Sequence, residues 1–444
     1  FKQKTAYEIG VRLVGSEMCI RDRLKATAGG GGKGMRAVFE LEQFQSSWDS
    51  ARQEAGAAFG NDGMYMEKLI VEPRHIEIQI IGDSTGKACH LSERDCSVQR
   101  RHQKLTEEAP SPFMTKELRE RMGQAAVKAA EAVKYEGVGT VEFLVDKHRN
   151  FYFMEMNTRL QVEHPVTEVT TDTDIVRKQF EIAGGATIDD LSPREQGYGM
   201  EVRVNAEKAG LNAQGEVSFQ PTHGEITVCE LPEEEHIRVI SMAGEGKVVP
   251  PFYDSLIIQI ICYGSDRTDT IDKLLAYLER VVINGVSTNL SLIKRILRDE
   301  TFRGGDYDTG YLPAFLSKMD TSELIAEIDE AAGATGQVLD LDMLRIEDSD
   351  ELKVLSPSTG VFYLTPSPTE PEYVNVGDTV SVGDTLCQLE AMKMFTPVNL
   401  NTFASDIGEL YPDGRYTISR INLTSGQQVN EGDLLFVIRP VEAA

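Results

Sequence analysis

Cysteine pairs and long apolar runs are both lacking in this chain of 444 residues. The six cysteines form no CxxC pair and no metal-like spacing, and no signal peptide is visible, which favours a reducing, cytoplasmic compartment. The longest apolar run covers residues 256–262 and is interrupted by Gln259. A membrane-spanning helix needs about 20 apolar residues, so we expect a protein that does not cross a membrane.

Basic residues are also in short supply, since 45 lysines and arginines stand against 71 acidic residues, for a net charge of −26. Such a charge repels nucleic acid and anionic lipid, so we expect neither as a partner. Against this background the stretch of residues 99–104 is unusual, because it contains two arginines, a histidine and a lysine. It predicts a local anion site, and the alternative is an ordinary solvated face.

Near the C-terminus the sequence repeats itself. The pattern G-x-x-V-x-x-G-D-x-L begins at Gly377 and again at Gly426, which is typical of short β-strands joined by Gly-Asp turns. Between the two copies lies Ala-Met-Lys-Met, with Lys393 as its lysine. Lysine carries an amine on a long flexible stem, which suits a group that must reach more than one site. The alternative is a plain exposed lysine on a turn.

A glycine-rich segment lies near the N-terminus. Lys25 is followed by four consecutive glycines at 29–32, where the backbone can present amide hydrogens to phosphate groups. A glycine run alone is weak evidence, because it matches neither the Walker pattern nor the dinucleotide fingerprint. Residues 73–80 then alternate as a half-buried strand does.

Two further strand-like segments, residues 138–143 and 151–157, carry Glu142, Glu155 and Asn157. Their side-chain oxygens are the hard ligands that Mg²⁺ takes beside nucleotide phosphates. The alternative is that these acidic residues simply face solvent.

Together these segments resemble the biotin carboxylase component of biotin-dependent carboxylases, an ATP-grasp family, from about residue 25 to about residue 311. The most specific match is E-M-N-T-R-L-Q-V-E-H-P-V-T-E, from Glu155 to Glu168. The repeat around Lys393 resembles the biotinyl carrier domain, a flattened barrel of two related halves whose lysine carries biotin.

The resemblance implies roles for individual residues. It implies that Glu163 is the general base and that Arg203 stabilises the biotin enolate, with Lys104 and Arg159 also catalytic. It further implies ATP-phosphate binding by Lys25, Gly31 and Gly32; a nucleotide pocket of Glu67, Lys68, Leu69, Ile70, His75, Gln99 and His102; bicarbonate binding by Lys104, Arg159, Gln161 and Val162; and Mg²⁺ or Mn²⁺ binding by Glu142, Glu155 and Asn157.

The expected fold is a multidomain α+β protein. We expect an uncertain or artefactual segment at 1–23, an incomplete ATP-grasp domain at 24–195, a biotin carboxylase C-terminal α+β domain at 196–311, an acidic linker at 312–351 and an all-β, lipoyl-like biotinyl carrier at 352–440. Members of the family have a nucleotide-binding-like domain before the glycine-rich segment, so we expect an N-terminally truncated chain. Residues 237–240 and 256–262 are predicted strands, and residues 270–282 and 322–332 are predicted helices.

The resemblance implies a ligase with biotin, ATP and Mg²⁺ as cofactors. It would carboxylate biotin on Lys393 with bicarbonate through carboxyphosphate, and supply an acyl-CoA carboxylase. Residues 363–373 resemble the thumb of acetyl-CoA carboxylase carriers, which favours acetyl-CoA and fatty acid biosynthesis. Implied partners are carboxyltransferase subunits, biotin protein ligase and a second copy in a homodimer. Two alternatives are a carrier or scaffold with an inactive ATP-grasp remnant and another ATP-grasp ligase with a swinging arm.

Overall fold

The computed structural model describes residues 22–27, 35–100, 103–189, 191, 196–211, 217–332, 346, 349–357, 359–366, 371–391, 394–400, 414–430 and 432–441. The described residues belong to two compact units. One consists of residues 71–250 and 255–336, and the other of the remaining residues. Four residues of the predicted sites, Gly31, Gly32, His102 and Lys393, lie outside the described part of the chain.

A small antiparallel sheet forms the start of the described chain. Strand β1 (Asp22–Ala26) lies between β2 (Met35–Val38) and β3 (Met64–Lys68), and a 3₁₀ turn (Leu41–Gln43) leads into helix α1 (Phe44–Phe59). Leu24, Val38 and Phe44 are buried together at the centre of this module. Because β1 begins at Asp22, the last two residues of the segment that we expected to be artefactual are part of a strand.

An eight-stranded antiparallel sheet organises the unit of residues 71–250 and 255–336. Its order is β14-β16-β9-β6-β5-β4-β7-β8. The strands of this sheet are β4 (Arg74–Gly82), β5 (Ala88–Arg100), β6 (Gln103–Ala109), β7 (Gly137–Val145), β8 (Phe151–Asn157), β9 (Tyr198–Asn205), β14 (Ile237–Ser241) and β16 (Leu256–Gly264). Because β9 pairs with β6, one sheet continues across the predicted domain boundary at residue 195.

Short strands and eight helices complete the described part of this unit. The strands are β10 (Glu207–Leu211), β11 (Val217–Pro221), β12 (Gly224–Glu225), β13 (Val228–Glu230), β15 (Val248–Val249) and β17 (Val282–Asn284). The helices are α2 (Lys116–Ala132), α3 (His164–Thr171), α4 (Ile175–Ala183), α5 (Arg267–Leu278), α6 (Leu290–Arg298), α7 (Glu300–Gly304), α8 (Tyr311–Leu316) and α9 (Thr321–Ala331).

Strand β4 corrects one prediction, because all nine of its residues are buried rather than alternate ones. One face carries Ile76, Ile78 and Ile80, which pack with residues of α2 in an apolar core. The opposite face carries His75, Glu77 and Gln79, which are buried as well. Period-2 alternation distinguishes the two faces of a strand, but it does not reveal that a polar face is covered by other polar groups.

The predicted strands at 237–240 and 256–262 are confirmed, and so is the helix near 322–332. The helix predicted at 270–282 is wrong at both ends, since it spans Arg267–Leu278. It begins earlier because the Asp266 carboxylate caps it, accepting a hydrogen bond from the Asp269 N–H at 3.0 Å. It ends earlier because Val282 starts strand β17, which pairs with β13.

Glu108 is the centre of a buried cluster in this unit. Its carboxylate accepts hydrogen bonds from the hydroxyls of Tyr198 and Tyr307, and from Arg267 Nε at 2.7 Å. We expect Arg267→Ala to destabilise this unit by roughly 3–5 kcal/mol, because it leaves a buried carboxylate without its cation. Arg280→Ala is the control, since its ion pair with Glu234 is solvent-exposed and worth at most about 1 kcal/mol. Urea unfolding followed by circular dichroism compares the two variants, and equal midpoints contradict the prediction.

The C-terminal domain is all-β, as predicted. Its strands are β18 (Leu352–Leu355), β19 (Gly360–Tyr363), β20 (Thr379–Ser381), β21 (Cys387–Ala391), β22 (Met394–Val398), β23 (Arg415–Ile421), β24 (Gln428–Val429) and β25 (Leu434–Pro440). They form two four-stranded sheets, β18-β25-β23-β20 and β22-β21-β19-β24, around a common apolar core.

The two sequence repeats form equivalent turns in this domain. Asp384 accepts a hydrogen bond from the Ser381 N–H at 2.7 Å, and Asp433 accepts one from the Asn430 N–H at 2.7 Å. Gly377 and Gly426, the first glycines of the two copies, both have positive φ (96° and 90°), a region that favours glycine. Each glycine therefore occupies a position where a side chain would be strained. No helix among the described residues is long and apolar enough to span a membrane.

Candidate active site

A row of charged side chains crosses one face of the eight-stranded sheet, and strand register explains it. Glu77 on β4 lies opposite Arg94 on β5 and opposite Glu142 on β7, and Glu142 in turn lies opposite Glu155 on β8. Directly opposed residues place their side chains on the same face, with Cβ atoms about 5 Å apart. Two pairs of consecutive strands, β4 with β5 and β7 with β8, therefore contribute to one polar surface.

Lys104, on β6, lies among three carboxylates of this surface. Its Nζ is 2.7 Å from Glu77 Oε2 and 3.6 Å from Glu142 Oε1, and it donates a very short hydrogen bond to Glu163 Oε1. Glu77 is held from its other side by Arg94, whose Nε donates to Glu77 Oε1 at 2.6 Å. Lys104 thus connects the row on the sheet to Glu163, which directly precedes helix α3.

Glu163 lies between two cations. Lys104 contacts one carboxylate oxygen, and Arg203 Nη2 donates to the other, Oε2, at 2.8 Å. Glu163 is almost fully buried, with 2% of its surface exposed. Burial by itself raises the pKa of Glu163, but Lys104, Arg203 and Arg94 outweigh it and hold that pKa well below its usual range. Glu163 is therefore ionised at neutral pH, as a proton acceptor must be.

The two cations keep their charge for the complementary reason. Burial lowers the pKa of both Lys104 and Arg203, yet Cys96 and the surrounding carboxylates raise the pKa of Lys104, and the carboxylates raise that of Arg203, above the ordinary value. Arg203 contacts a second carboxylate, since its Nη2 is 2.5 Å from Glu107 Oε1. Both cations are thus available to stabilise an anion that enters beside Glu163.

Glu142 is surrounded by donors on the same face. His75 Nε2 is 3.1 Å from Glu142 Oε2, and Oε1 accepts hydrogen bonds from Asn157 Nδ2 at 2.8 Å and Gln161 Nε2 at 2.9 Å. Burial raises the pKa of Glu142, but the hydrogen bond from His75 and the charge of Lys104 lower it to about 2. An ionised carboxylate opposite Glu155 offers oxygen donors of the kind that Mg²⁺ takes, although the amide groups of Asn157 and Gln161 face Glu142 through their nitrogens.

The structure brings most of the predicted catalytic and anion-binding side chains together, and it leaves some apart. Lys104, Glu142, Gln161, Glu163 and Arg203 form one connected group through the contacts above. The Arg159 guanidinium is solvent-exposed and donates to its neighbour's carbonyl, Leu160 O, at 3.2 Å. The backbone carbonyl of Val162 accepts from Gln259 Nε2 at 2.8 Å, and Gln99 lies opposite Lys104 in the β5–β6 register.

The predicted nucleotide residues near the N-terminus belong to the other compact unit. Lys25 and Glu67 lie on the paired strands β1 and β3, with the Lys25 Nζ 6.0 Å from the centre of the Tyr65 ring. Glu67 is paired with Arg23 at 2.5 Å. Lys68 ends strand β3, and Leu69 and Ile70 follow it.

Sequence reasoning missed five residues of this site. They are Glu77, Arg94, Glu107, Glu201 and Gln259, all of them on strands of the same sheet. Glu77 is two residues after the predicted His75, and Glu201 is two residues before the predicted Arg203. Because residues two apart on a strand face the same way, this spacing was a signal that could have identified both.

The buried carboxyl group of Glu107 should make the free energy of unfolding depend on pH. Burial raises the pKa of Glu107 to about 7, against the opposing charge of Arg203. The folded state then binds a proton more tightly than the unfolded state, so this stabilisation is full below pH 4.5 and is lost as the pH rises to about 7. We expect wild type to lose on the order of 3 kcal/mol relative to Glu107→Gln over that interval. Urea midpoints at several pH values test this, and a constant difference contradicts it.

Three family models match the chain. The model described as the ATP binding domain of the carbamoyl-phosphate synthase L chain matches residues 21–191, the biotin carboxylase C-terminal domain matches 201–314, and the model described as biotin-requiring enzyme matches 352–402. These matches confirm the resemblance and the predicted fold class.

Known proteins are similar over most of the same region. Biotin carboxylase 1 of Bacillus subtilis is 45% identical over 298 residues, which are 66% of this chain and 64% of that protein. Biotin carboxylase 2 of the same organism is 44% identical over 315 residues, or 70% of this chain and 67% of that protein. The chain thus spans less than two thirds of the first of these relatives.

A solved biotin carboxylase structure is similar to this chain as well. The biotin carboxylase domain dimer of the Hydrogenobacter thermophilus 2-oxoglutarate carboxylase, in complex with MgADP, ADP and bicarbonate, is 41% identical. The similarity has a TM-score of 0.64 and covers 70% of this chain and 67% of that one.

Proposed function

The chain belongs to the biotin carboxylase family, and from this we propose that it carboxylates biotin carried on Lys393, using ATP and bicarbonate. The observation that carries the proposal is the position of Glu163, an ionised and buried carboxylate between the cations Lys104 and Arg203. A base flanked by two anion-stabilising groups suits a reaction in which bicarbonate loses a proton while negative charge develops nearby.

Lys104 and Glu163 would act first, on bicarbonate. Lys104, with Gln161, Arg159 and the backbone of Val162, would hold the anion, and Glu163 would accept its proton. The resulting oxygen attacks the γ-phosphorus of ATP, the bond to the leaving ADP breaks, and carboxyphosphate forms. When Lys104 turns to bicarbonate, Glu163 loses a cationic partner, so its pKa rises and it becomes a stronger base.

Arg203 would act in the second stage. Carboxyphosphate would break down to carbon dioxide and phosphate inside the site, and the phosphate would take up the proton that Glu163 holds. Attached biotin would supply the ureido nitrogen that takes up the carboxyl group, and the proton of that nitrogen would pass to Glu163. Arg203, fixed by Glu107 and Glu163, would stabilise negative charge at an oxygen placed before its guanidinium, and Glu163 is within reach of the same point for a second proton transfer.

Glu142, Glu155 and Asn157 would hold Mg²⁺ or Mn²⁺, which would neutralise phosphate charge during transfer. Support comes from the low pKa of Glu142 and from the register that sets Glu155 opposite it. For ATP we propose His75, Gln99, His102, Lys25, Gly31, Gly32 and residues 67–70, as the resemblance implies.

Lys393 would carry biotin on the C-terminal domain. Strands β21 and β22 pair with Ala391 opposite Met394, so residues 392 and 393 are the connection between two paired strands. That connection suits a lysine which must be reached by a modifying enzyme and by two active sites. We propose the domain boundaries given by the sequence, namely 24–195, 196–311, 312–351 and 352–440.

Acetyl-CoA is the acceptor that we propose, through separate carboxyltransferase subunits and within fatty acid biosynthesis. The support is the sequence of the segment between β19 and β20, which resembles the thumb of acetyl-CoA carboxylase carriers. At the start of this segment Gln388 Nε2 donates to the carbonyls of Thr365 and Pro366 at 3.1 Å. The H. thermophilus relative is a 2-oxoglutarate carboxylase, so a 2-oxo acid is the competing acceptor. We also propose biotin protein ligase as a partner and a homodimer, the state of that relative's domain.

The test uses the full chain, co-expressed with biotin ligase and captured on avidin. With ¹⁴C-bicarbonate and Mg²⁺, we expect label on the captured protein when ATP is present and none with an ATP analogue that cannot be hydrolysed at the β,γ position. Capture without label indicates a carrier with an inactive ATP-grasp remnant. A rate of ATP hydrolysis that does not depend on bicarbonate indicates a different ATP-grasp ligase.

A further inference from the structure

Two buried glutamates, Glu107 and Glu201, lie next to Arg203 on the eight-stranded sheet. Glu107 on β6 and Glu201 on β9 are opposite each other in the register of the antiparallel pair, so their side chains share one face of the sheet. Both are completely buried, with 0% of their surface exposed. Two carboxyl groups so placed cannot both ionise without strong mutual repulsion.

Their hydrogen bonds are incomplete in a way that a proton would correct. Glu201 Oε1 accepts from Gln259 Nε2 at 2.9 Å. Within the described part of the chain, Glu201 Oε2 and Glu107 Oε2 are buried and accept no hydrogen bond. An ionised carboxylate can only accept, whereas a protonated one also donates. One proton shared by the two groups would give each an additional partner.

The charges around this pair lead to the same result. Among the described residues of this part of the site, five carboxyl groups face three cations. Arg94 pairs with Glu77, Lys104 with Glu163 and, at 3.6 Å, with Glu142, and Arg203 with Glu107 as well as Glu163. The remaining carboxyl, Glu201, has an amide for its partner rather than a cation. Burying a carboxylate without a cation is costly enough that it takes up a proton instead.

Other titratable groups face the pair from neighbouring elements. They are Lys104 on β6, Arg203 on β9, Cys96 on β5 and Glu163 before α3, while β16 contributes the neutral Gln259. Burial, followed by the charge of Glu107, holds the pKa of Glu201 well above its usual range. This raised pKa of Glu201 agrees with the geometry of the pair.

We propose that Glu107 and Glu201 hold one proton in common and that this pair is a positioning device for Arg203. With the proton present, the pair carries one negative charge, and Arg203 remains shared between Glu107 and Glu163. Loss of the proton adds a second negative charge behind the guanidinium, which draws it toward the sheet and repels an anion in front of it. The consequence for Arg203 rests on the proposed function, whereas the shared proton does not.

Infrared spectroscopy tests the shared proton without any need for activity. At pH 8, above the pKa of about 7 for Glu107, we expect a carbonyl stretch from a protonated carboxyl group in the full chain. We expect Glu201→Gln to lose this band, and we expect Glu107→Gln to keep it at a shifted frequency, because Glu201 then holds the proton alone. Glu168→Gln is the control, because Glu168 is paired with Arg238 at 2.7 Å outside the pair. Circular dichroism verifies that each variant is folded. Absence of the band in wild type, its persistence in Glu201→Gln, or an unshifted band in Glu107→Gln overturns the proposal.

The pH profile of biotin carboxylation tests the positioning role. We expect the wild-type rate to fall about tenfold for each pH unit above the ionisation of the pair, since one essential proton is lost. In Glu201→Gln, whose amide cannot ionise, we expect that alkaline limb to be absent. An identical limb in the variant overturns the role. If neither protein carboxylates biotin, the proposed function fails, and the infrared band still decides whether the pair holds its proton.

Discussion

Replacing Glu163 with glutamine is expected to lower the rate of biotin carboxylation by about 10²–10⁴-fold, the range for loss of a general base. Glutamine has nearly the same shape, but only one of its two terminal atoms is an acceptor, so it can accept a hydrogen bond from Lys104 or from Arg203 and not from both. It cannot take up a proton, and it removes the negative charge that now balances the two cations. The measurement is transfer of ¹⁴C from bicarbonate to the captured chain and, separately, to free biotin.

The control for this prediction is Glu168→Gln. Glu168 lies on helix α3, five residues after Glu163, and its carboxylate pairs with Arg238 rather than with Lys104 or Arg203. We expect this variant to keep a rate within about threefold of wild type, since Glu168 contacts Arg238 and the Ile175 N–H and neither group belongs to the site. If Glu163→Gln kept more than about a tenth of the wild-type rate, the base would have to be another group. Unchanged circular dichroism shows that the difference does not arise from misfolding.

The residues of this site that could be predicted from the sequence are those that belong to a local motif. Glu163, Gln161 and Asn157 occur within one continuous stretch, and the resemblance extended it to Lys104 and Arg203. The contacts between these side chains were not predictable, because they depend on strand register. Glu77 and Glu142 become neighbours only through the pairing of β4 with β7, which are distant in sequence, and Arg94 joins them through the register of β4 with β5.

Burial explains why other features were missed. A strand with alternating polar residues was predicted to be half-buried, yet the polar face of β4 is covered by Arg94 and Lys104, which both pair with Glu77. Glu107 and Glu201 were missed for a related reason, since an isolated acidic residue on a strand is commonly exposed. In the C-terminal domain the prediction succeeded because each Gly-Asp turn forms locally and the two copies support the same structure.

Replacing Lys393 with arginine is expected to abolish avidin capture and all label on the chain itself. Arginine keeps the positive charge and much of the length of lysine, but it lacks the primary amine that biotin ligase joins to biotin. Lys353→Arg is a matched control, because Lys353 is the only other lysine between residues 352 and 440, and we expect it to be captured as wild type is. Capture and label that survive in Lys393→Arg would place the biotin on another residue.

The same variant separates the carrier from the catalytic residues. Lys393 lies on the C-terminal domain, whereas Lys104, Glu163 and Arg203 belong to the unit of residues 71–250 and 255–336. Because none of these three side chains is altered in Lys393→Arg, we expect the variant to retain carboxylation of free biotin at the wild-type rate. Glu163→Gln should show the reverse, with normal capture on avidin and little label.

Mixing the two variants then distinguishes transfer within one chain from transfer between chains. Label that appears on the Glu163→Gln protein only after the Lys393→Arg protein is added requires the active site of one copy to carboxylate the biotin of another.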